Sequence, residues 1–212
     1  IIIISGQIRK PLSRMVELMQ NQEVIPVRGV EELRYVTKTY NAILLENKTA
    51  REKLSHEASH DALTGLFNRG AYNMLMESVD TEHMALILVD IDYFKQINDT
   101  YGHDMGDKIL KRVAEVLKHS FRSVDIICRF GGDEFVVVMT RVNGSMKQLV
   151  LNKMNQANEL LKNPKDDLPP VSLSVGIAFA DRQNPQGDIF KDADTALYRV
   201  KEAGRNGCQV YE

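Results

Sequence analysis

Two short acidic stretches carry residue types that could do metal or general-base chemistry. Arg129-Phe-Gly-Gly-Asp-Glu-Phe135 sets two adjacent carboxylates, Asp133 and Glu134, beside a glycine pair and between two apolar runs, Val124–Cys128 and Phe135–Met139. Glycine reaches positive φ freely, so Gly-Gly between β-rich runs reads as a hairpin turn with the acids at its exit. The second stretch, Val89-Asp-Ile-Asp92, closes the apolar run that begins at Met84. Carboxylates at the carboxyl end of a central strand lie where α/β sheets place ligands. If the two strands are neighbours, Asp90 and Asp133 could share a divalent ion, with phosphate oxygens completing a hard-oxygen shell of the kind Mg²⁺ takes. Asp92 reads as a strand-end acid capping the turn that follows. Lys95 sits in a tight loop whose N–H groups could cradle phosphates. The competing reading is a surface hairpin with solvated acids and a solvated lysine.

The elements that must position these residues follow from periodicity. After the break at Asp61-Ala-Leu-Thr-Gly-Leu-Phe-Asn-Arg69, a helix runs to about Val79. Met84–Ile91 is a continuous apolar run and predicts a strand buried on both faces. A loop follows, then a helix from Asp104 to Phe121 with Ile109, Leu110, Val113, Val116 and Leu117 on its inner face. The hairpin comes next, then a helix from Ser145 to Leu161 with Leu149, Met154 and Leu160 among its apolar positions. Val171–Phe179 alternates as a half-buried strand, Ile189–Val200 is a last helix, and Cys208–Tyr211 a short final strand. Strands alternating with helices around an antiparallel hairpin predict an α/β (α+β) fold, a mixed central sheet with flanking helices. Roughly 150 residues suffice for one such core.

Residues 1–57 have a different pattern. Ile8, Leu12, Met15 and Met19 recur at helical spacing, with Pro11 tolerable in the first turns. A connector spans Asn21 to Val30. Leu33, Val36, Tyr40, Ile43, Asn47, Ala50 and Leu54 then keep a three-four alternation, a coiled-coil seam in which Asn47 can fix register. The alternative is a lone helix packed on its own domain. Helix, connector and helix, with Lys10-Pro-Leu12 opening and Gly29-Val-Glu-Glu-Leu33 starting the second helix, resemble a HAMP relay domain. That resemblance implies a membrane segment before residue 1 and a parallel homodimer. Ile1–Ile4 then reads as the end of such a segment, since a span needs about 20 apolar residues and this run supplies four.

Composition bounds the function classes. The 212 residues are 43% hydrophobic and 26% charged, with a net charge of −2. That balance suits a globular domain with an extension and leaves no basic footprint for a nucleic-acid polymer. Cys128 and Cys208 have no metal-type spacing and give no disulfide framework, which points to a reducing cytosol.

Four stretches in order, Asp61–Arg69, Asp90-Ile-Asp-Tyr-Phe-Lys-Gln-Ile-Asn-Asp-Thr-Tyr-Gly-His-Asp-Met-Gly-Asp107, Arg129–Phe135 and Lys201-Glu-Ala-Gly-Arg-Asn206, resemble the motifs of the GGDEF diguanylate cyclases. The similarity covers residues 58–212. It implies a palm-like nucleotidyl cyclase fold that condenses two GTP into cyclic di-GMP with release of two pyrophosphates. In that resemblance Asp90, the Ile91 carbonyl and Asp133 hold Mg²⁺ (Mn²⁺ as a substitute), and Asp133 or Glu134 assists deprotonation of the ribose hydroxyl. Lys95, Lys201 and Arg205 bind the triphosphate tail. Lys201 and Arg205 share one face if their helix persists through Gly204. Phe94 and His103 fall at substrate-binding positions, and Asn98 and Asp107 at guanine-reading ones, a carboxylate being suited to the N1–H and N2–H₂ donors. Asp104-Met-Gly-Asp107 also reads as a capping box. Arg122 and Asp125 match an inhibitory site for the product, cyclic di-GMP; an i,i+3 ion pair at a helix end is the plainer reading. The expectation is a homodimeric enzyme controlled through its N-terminal coiled coil, the cytoplasmic domain of a bacterial inner-membrane protein. The rival is a catalytically inactive effector that senses cyclic di-GMP or GTP through the same pockets.

Overall fold

A computed structural model describes residues 9–28, 31–164 and 167–212. Ile1–Ile4, Ile8, Gly29 and Val30 lie outside the described residues. The chain divides into two compact units, Ile1–Glu57 and Ala58–Glu212.

In the first unit α1 (Lys10–Gln20) and the front of α2 (Glu31–Ser59) pack together around Met15 and Thr37. The Thr37 hydroxyl points at Met15 Sδ, 3.8 Å away, and the Tyr40 hydroxyl donates to the Met19 carbonyl at 3.2 Å. Asn41 fixes the connector: its Oδ1 accepts the Ile25 N–H at 2.9 Å and its Nδ2 donates to the Ile25 carbonyl at 2.8 Å. Ile25 is thereby buried. The expected seam is therefore split. Leu33 and Tyr40 are half-buried within the unit, whereas Val36, Ile43, Asn47, Ala50 and Leu54 are exposed. No helix among the described residues is long and apolar enough to cross a membrane.

The second unit is a five-stranded sheet flanked by helices. Its elements are α3 (Arg69–Met76), β1 (Met84–Ile91), α4 (Phe94–Tyr101), α5 (His103–Ser120), β2 (Ile126–Gly131), β3 (Glu134–Thr140), α6 (Lys147–Lys162), β4 (Leu173–Phe179), α7 (Ile189–Glu202) and β5 (Gly207–Val210). The strand order is β2-β3-β1-β4-β5. β1 is central and antiparallel to both neighbours, and among the described strands β4 and β5 are the pair that runs parallel. The mixed sheet with flanking helices is the predicted fold class.

The two faces follow the two-residue period of β1. Ala85, Ile87, Val89 and Ile91 pack with Ile109, Val113 and Leu117 of α5 and Val150, Met154 and Leu161 of α6. Met84, Leu86 and Leu88 pack with Tyr72 of α3 and Ala193, Ala196 and Leu197 of α7. Covered on both sides, β4 is buried throughout, not half-buried as its alternation suggested. Leu149 and Leu160 are exposed, so the inner face of α6 is Val150, Met154, Ala157, Asn158 and Leu161. Residues 94–101, read as loop, form α4; the spacing of Phe94, Ile97 and Tyr101 is the helical signal there. Burial pushes both thiols, Cys128 and Cys208, up to about 12, so neither is poised as a nucleophile at neutral pH.

Candidate active site

The acids meet because β1 and β3 are hydrogen-bonded neighbours. Asp90 lies opposite Glu134, and the Ile91 N–H donates to the Asp133 carbonyl at 3.3 Å. The hairpin differs from expectation in its register. Gly131 pairs with Glu134 as the last residue of β2, so the two central turn residues are Gly132 and Asp133. Gly132 supplies the positive φ, +43°, that the first position of such a turn needs. A register shift between Arg129 and Gly131 absorbs one residue, a bulge that tightens the bend. Asp133 thus sits in the turn itself, not at its exit. The Arg129 guanidinium locks this geometry by donating to the Gly132 carbonyl from Nε at 2.9 Å and Nη2 at 2.7 Å.

Asp90 belongs to the α7 side of the sheet by the parity of β1. Lys201, in the last turn of α7, reaches it with Nζ 2.7 Å from Asp90 Oδ2. Burial pushes the Asp90 carboxyl above the ordinary carboxylate range; Lys201 opposes the rise, and Asp133 and Asp92 add to it. The negative charge concentrated there is what a divalent cation would offset. Among the described residues no three His, Cys, Asp or Glu side chains are grouped to hold a metal. Asp90, Asp133 and the Ile91 carbonyl remain a hard-oxygen set that fits Mg²⁺ if substrate phosphates and water complete the shell.

Of the phosphate-binding candidates, Lys201 touches this centre. Helix α7 ends at Glu202, so Lys201 and Arg205 do not share a helix face. Gly204, Arg205 and Asn206 take φ of +109°, +66° and +52°, and Arg205 leaves the chain from this left-handed turn with its guanidinium 4.9 Å from the Tyr93 ring centroid. Lys95 is exposed in the first turn of α4, a helix start and not a loop.

Phe94 and Asn98 come together on Gly106. A Cβ on Gly106 would lie 2.0 Å from Asn98 Oδ1 and 3.2 Å from Phe94 Cζ. Asp107 and His103 are exposed on the first turns of α5. Its N-cap is Gly102, without a side-chain cap, so the capping box read at Asp104–Asp107 does not form and Asp107 is left for another partner.

Arg122 and Asp125 grip each other. Arg122 donates to Asp125 from Nε at 3.1 Å, Nη2 at 2.8 Å and its backbone N–H at 2.9 Å, and Nη2 also reaches the Thr140 carbonyl at 2.9 Å. The carboxylate is buried while the arginine is half-exposed beside a groove of about 290 Å³ that His60, Gly65 and Lys118 also line.

Sequence reasoning misplaced Asp92. Asp92 does not cap its own turn; its side chain bonds Ser172, Ser174 and the Asn206 N–H, partners 80 to 114 residues away. Its signal was the pair of serines in Val171-Ser-Leu-Ser-Val175, polar residues spaced for one face of an otherwise apolar strand.

An α/β domain with acids at the exit of its central strand, and with a lysine and an arginine beside them, is the class defined by this fold and site. The family model described as "Diguanylate cyclase, GGDEF domain" matches residues 58–207, and the chain belongs to that family. It is 36% identical over 169 residues to diguanylate cyclase DgcM of Escherichia coli K12, covering 77% of this chain and 41% of that protein. It is 36% identical over 166 residues to diguanylate cyclase DgcP of Pseudomonas aeruginosa, covering 75% and 25%. The chain thus spans less than half the length of either relative. Among solved structures, the coiled coil and GGDEF domain of DgcB from Caulobacter crescentus in complex with c-di-GMP superposes with a TM-score of 0.70 at 26% identity, covering 84% of this chain and 98% of that one.

Proposed function

We propose that this chain is the catalytic piece of a diguanylate cyclase that condenses two GTP into cyclic di-GMP and two pyrophosphates. The observation that carries the reading is the convergence of Asp90, Asp133 and Lys201 at the exit of β1 in a member of the GGDEF family. Mg²⁺, or Mn²⁺ in its place, would be held by Asp90, the Ile91 carbonyl and Asp133 and would neutralise charge on the reacting phosphates.

The residues divide the work. Arg205, Lys95 and Lys201 bind the triphosphate tail and carry the charge released on pyrophosphate. Lys201, already against Asp90, orders the site before substrate arrives. Asn98 and Asp107 read the guanine edge, with Phe94 and His103 flanking, so adenine lacks matching donors. The 3′-hydroxyl proton passes to a hairpin carboxylate, Asp133 or Glu134. One chain holds one GTP, so two chains face each other for both bonds to form. The exposed Val36, Ile43, Asn47 and Leu54 on α2 support a homodimeric coiled coil, and the helix–connector–helix order supports a HAMP-like relay. Arg122 and Asp125 form the inhibitory product site, the arginine turning from Thr140 and Asp125 to a phosphate or guanine.

The test is product formation from GTP with Mg²⁺, wild type against Asp133→Ala, with ATP in parallel. Cyclic di-GMP from GTP alone, lost in the variant, supports the enzyme. Silence that a forced-dimer fusion does not relieve, with cyclic di-GMP still bound, means an effector.

A further inference from the structure

The exit of β1 and the turn after α7 are joined by a side chain that the proposed chemistry leaves unused. Asp92 is almost fully buried. Its Oδ1 accepts the Ser174 hydroxyl at 2.6 Å, and its Oδ2 accepts the Ser172 hydroxyl at 2.6 Å and the Asn206 N–H at 3.0 Å. Asn206 is held from a second side. The buried Asn158 of α6 donates from Nδ2 to Asn206 Oδ1 at 3.1 Å, while its own Oδ1 accepts the Leu173 N–H at 2.9 Å. Two buried polar groups on different elements therefore converge on one exposed residue.

What they hold is strained. Arg205 and Asn206 are consecutive non-glycine residues at positive φ, +66° and +52°. Asparagine tolerates this region; arginine enters it only where its surroundings impose it. Such strain at a site marks a conformation kept for its geometry. The conformation aims Arg205 over Tyr93, itself left-handed at φ +56°. Asp92 and Tyr93 are adjacent in sequence, so one dipeptide at the end of β1 anchors both the backbone and the guanidinium of the turn.

We propose that Asp92 and Asn158 are positioning residues for Arg205: by pinning Asn206 they pre-organise the guanidinium for the triphosphate tail of the substrate. The inference rests on the reading of Arg205 as a phosphate-binding group. An arginine fixed in direction binds a phosphate more tightly than one that must first be ordered.

The experiment compares affinity for GMP with affinity for a GTP analogue whose α,β-bridging oxygen is a methylene, so that no pyrophosphate can leave. Asn206→Gly keeps the left-handed backbone accessible and, on an exposed residue, removes the bond to Asn158 while loosening the turn itself. It should lower the triphosphate-over-monophosphate preference on the order of tenfold, with GMP affinity unchanged. Asp92→Ala should do the same, and Asp92→Asn, which keeps a carbonyl for the Asn206 N–H, should restore most of the preference. If Asp92→Ala does not fold, Asn206→Gly still decides. In an Arg205→Ala background Asn206→Gly should have no further effect, because it acts through the missing side chain. Additive losses, an unchanged preference in Asn206→Gly, or equal losses for GMP and the triphosphate each overturn the positioning role. If the unaltered protein shows no preference for the triphosphate, the phosphate-binding reading of Arg205 falls with it.

Discussion

Arg129 Nη1 lies 3.2 Å from each carboxylate oxygen of Asp61, a residue 68 positions earlier in the chain. The same guanidinium holds the Gly132 carbonyl with its other nitrogens. Asp61 follows the end of α2 by two residues and accepts the Thr64 N–H and hydroxyl at 2.9 and 2.7 Å. One arginine thus ties the segment leaving α2 to the turn that carries Asp133.

Asp61→Asn should therefore destabilise the fold and impair turnover together. Burial alone would raise the Asp61 carboxyl, but the hydrogen bonds from Thr64 and the Arg129 guanidinium outweigh it and hold it below its ordinary 3.8. A depressed folded-state value means the stabilisation is complete above the unfolded value and drains away as pH falls through the folded one. Urea unfolding should show wild type ahead of Asp61→Asn by ~1–2 kcal/mol at pH 7, with the gap closing below about pH 4. A gap independent of pH down to acid unfolding would show that charge is not its source.

Gly106→Ala should weaken GTP without unfolding the domain. The new methyl would occupy the place of Asn98 Oδ1, and Asn98 must swing out of the proposed guanine site. KM should rise roughly tenfold or more while kcat falls less, since recognition and not chemistry is displaced. Equal GTP affinity in the variant would remove Asn98 from base reading.

Arg122→Ala should leave initial turnover intact and let cyclic di-GMP accumulate further. The buried Asp125 carboxylate keeps the backbone N–H of residue 122, so the corner survives. Progress curves with added product measure this, and unchanged inhibition would sink the assignment.

Gly176→Ala tests the seat of α7. A Cβ there would fall 2.1 Å from the Ala193 carbonyl oxygen and 2.3 Å from the Leu197 nitrogen, backbone atoms that cannot yield by rotamer change. The expected cost is about 2–4 kcal/mol in urea unfolding. A loss under about 0.5 kcal/mol, the range of a surface change, would mean α7 rides further from β4 than described.

What the sequence discloses depends on how local the signal is. Met84–Ile91 is readable because a run of seven apolar residues in eight has few other uses, and its central place in the sheet matches that reading. The acids at its end, and Asp133 in the turn that opens β3, come together as expected because β1 and β3 pair. The hairpin register was not readable: Gly-Gly suggests two central glycines, but the bulge at Phe130 shifts the turn by one residue. Leu149 and Leu160 satisfy apolar counting yet lie off the face that meets the sheet, which α6 marks with the polar Asn158. The relation of Lys201 to Arg205 failed for a backbone reason, since positive φ begins at Gly204 and ends helical spacing. The serines at 172 and 174 were the trace of Asp92's role, but joining them to it takes the pairing of β1 with β4 and the turn before β5, which no local pattern discloses.

The counter-charge of Asp90 and the anchor of the turn after α7 are contacts across 111 and 114 residues. On a ribosome, β1 and β3 can pair long before either partner has been synthesised. Closing such long loops is also entropically slow. A chain that stops before α7 carries β1, β3 and the hairpin acids but lacks Lys201, Arg205 and β5. The proposed site is therefore completed by the last elements of the unit, the end of α7 and the turn into β5.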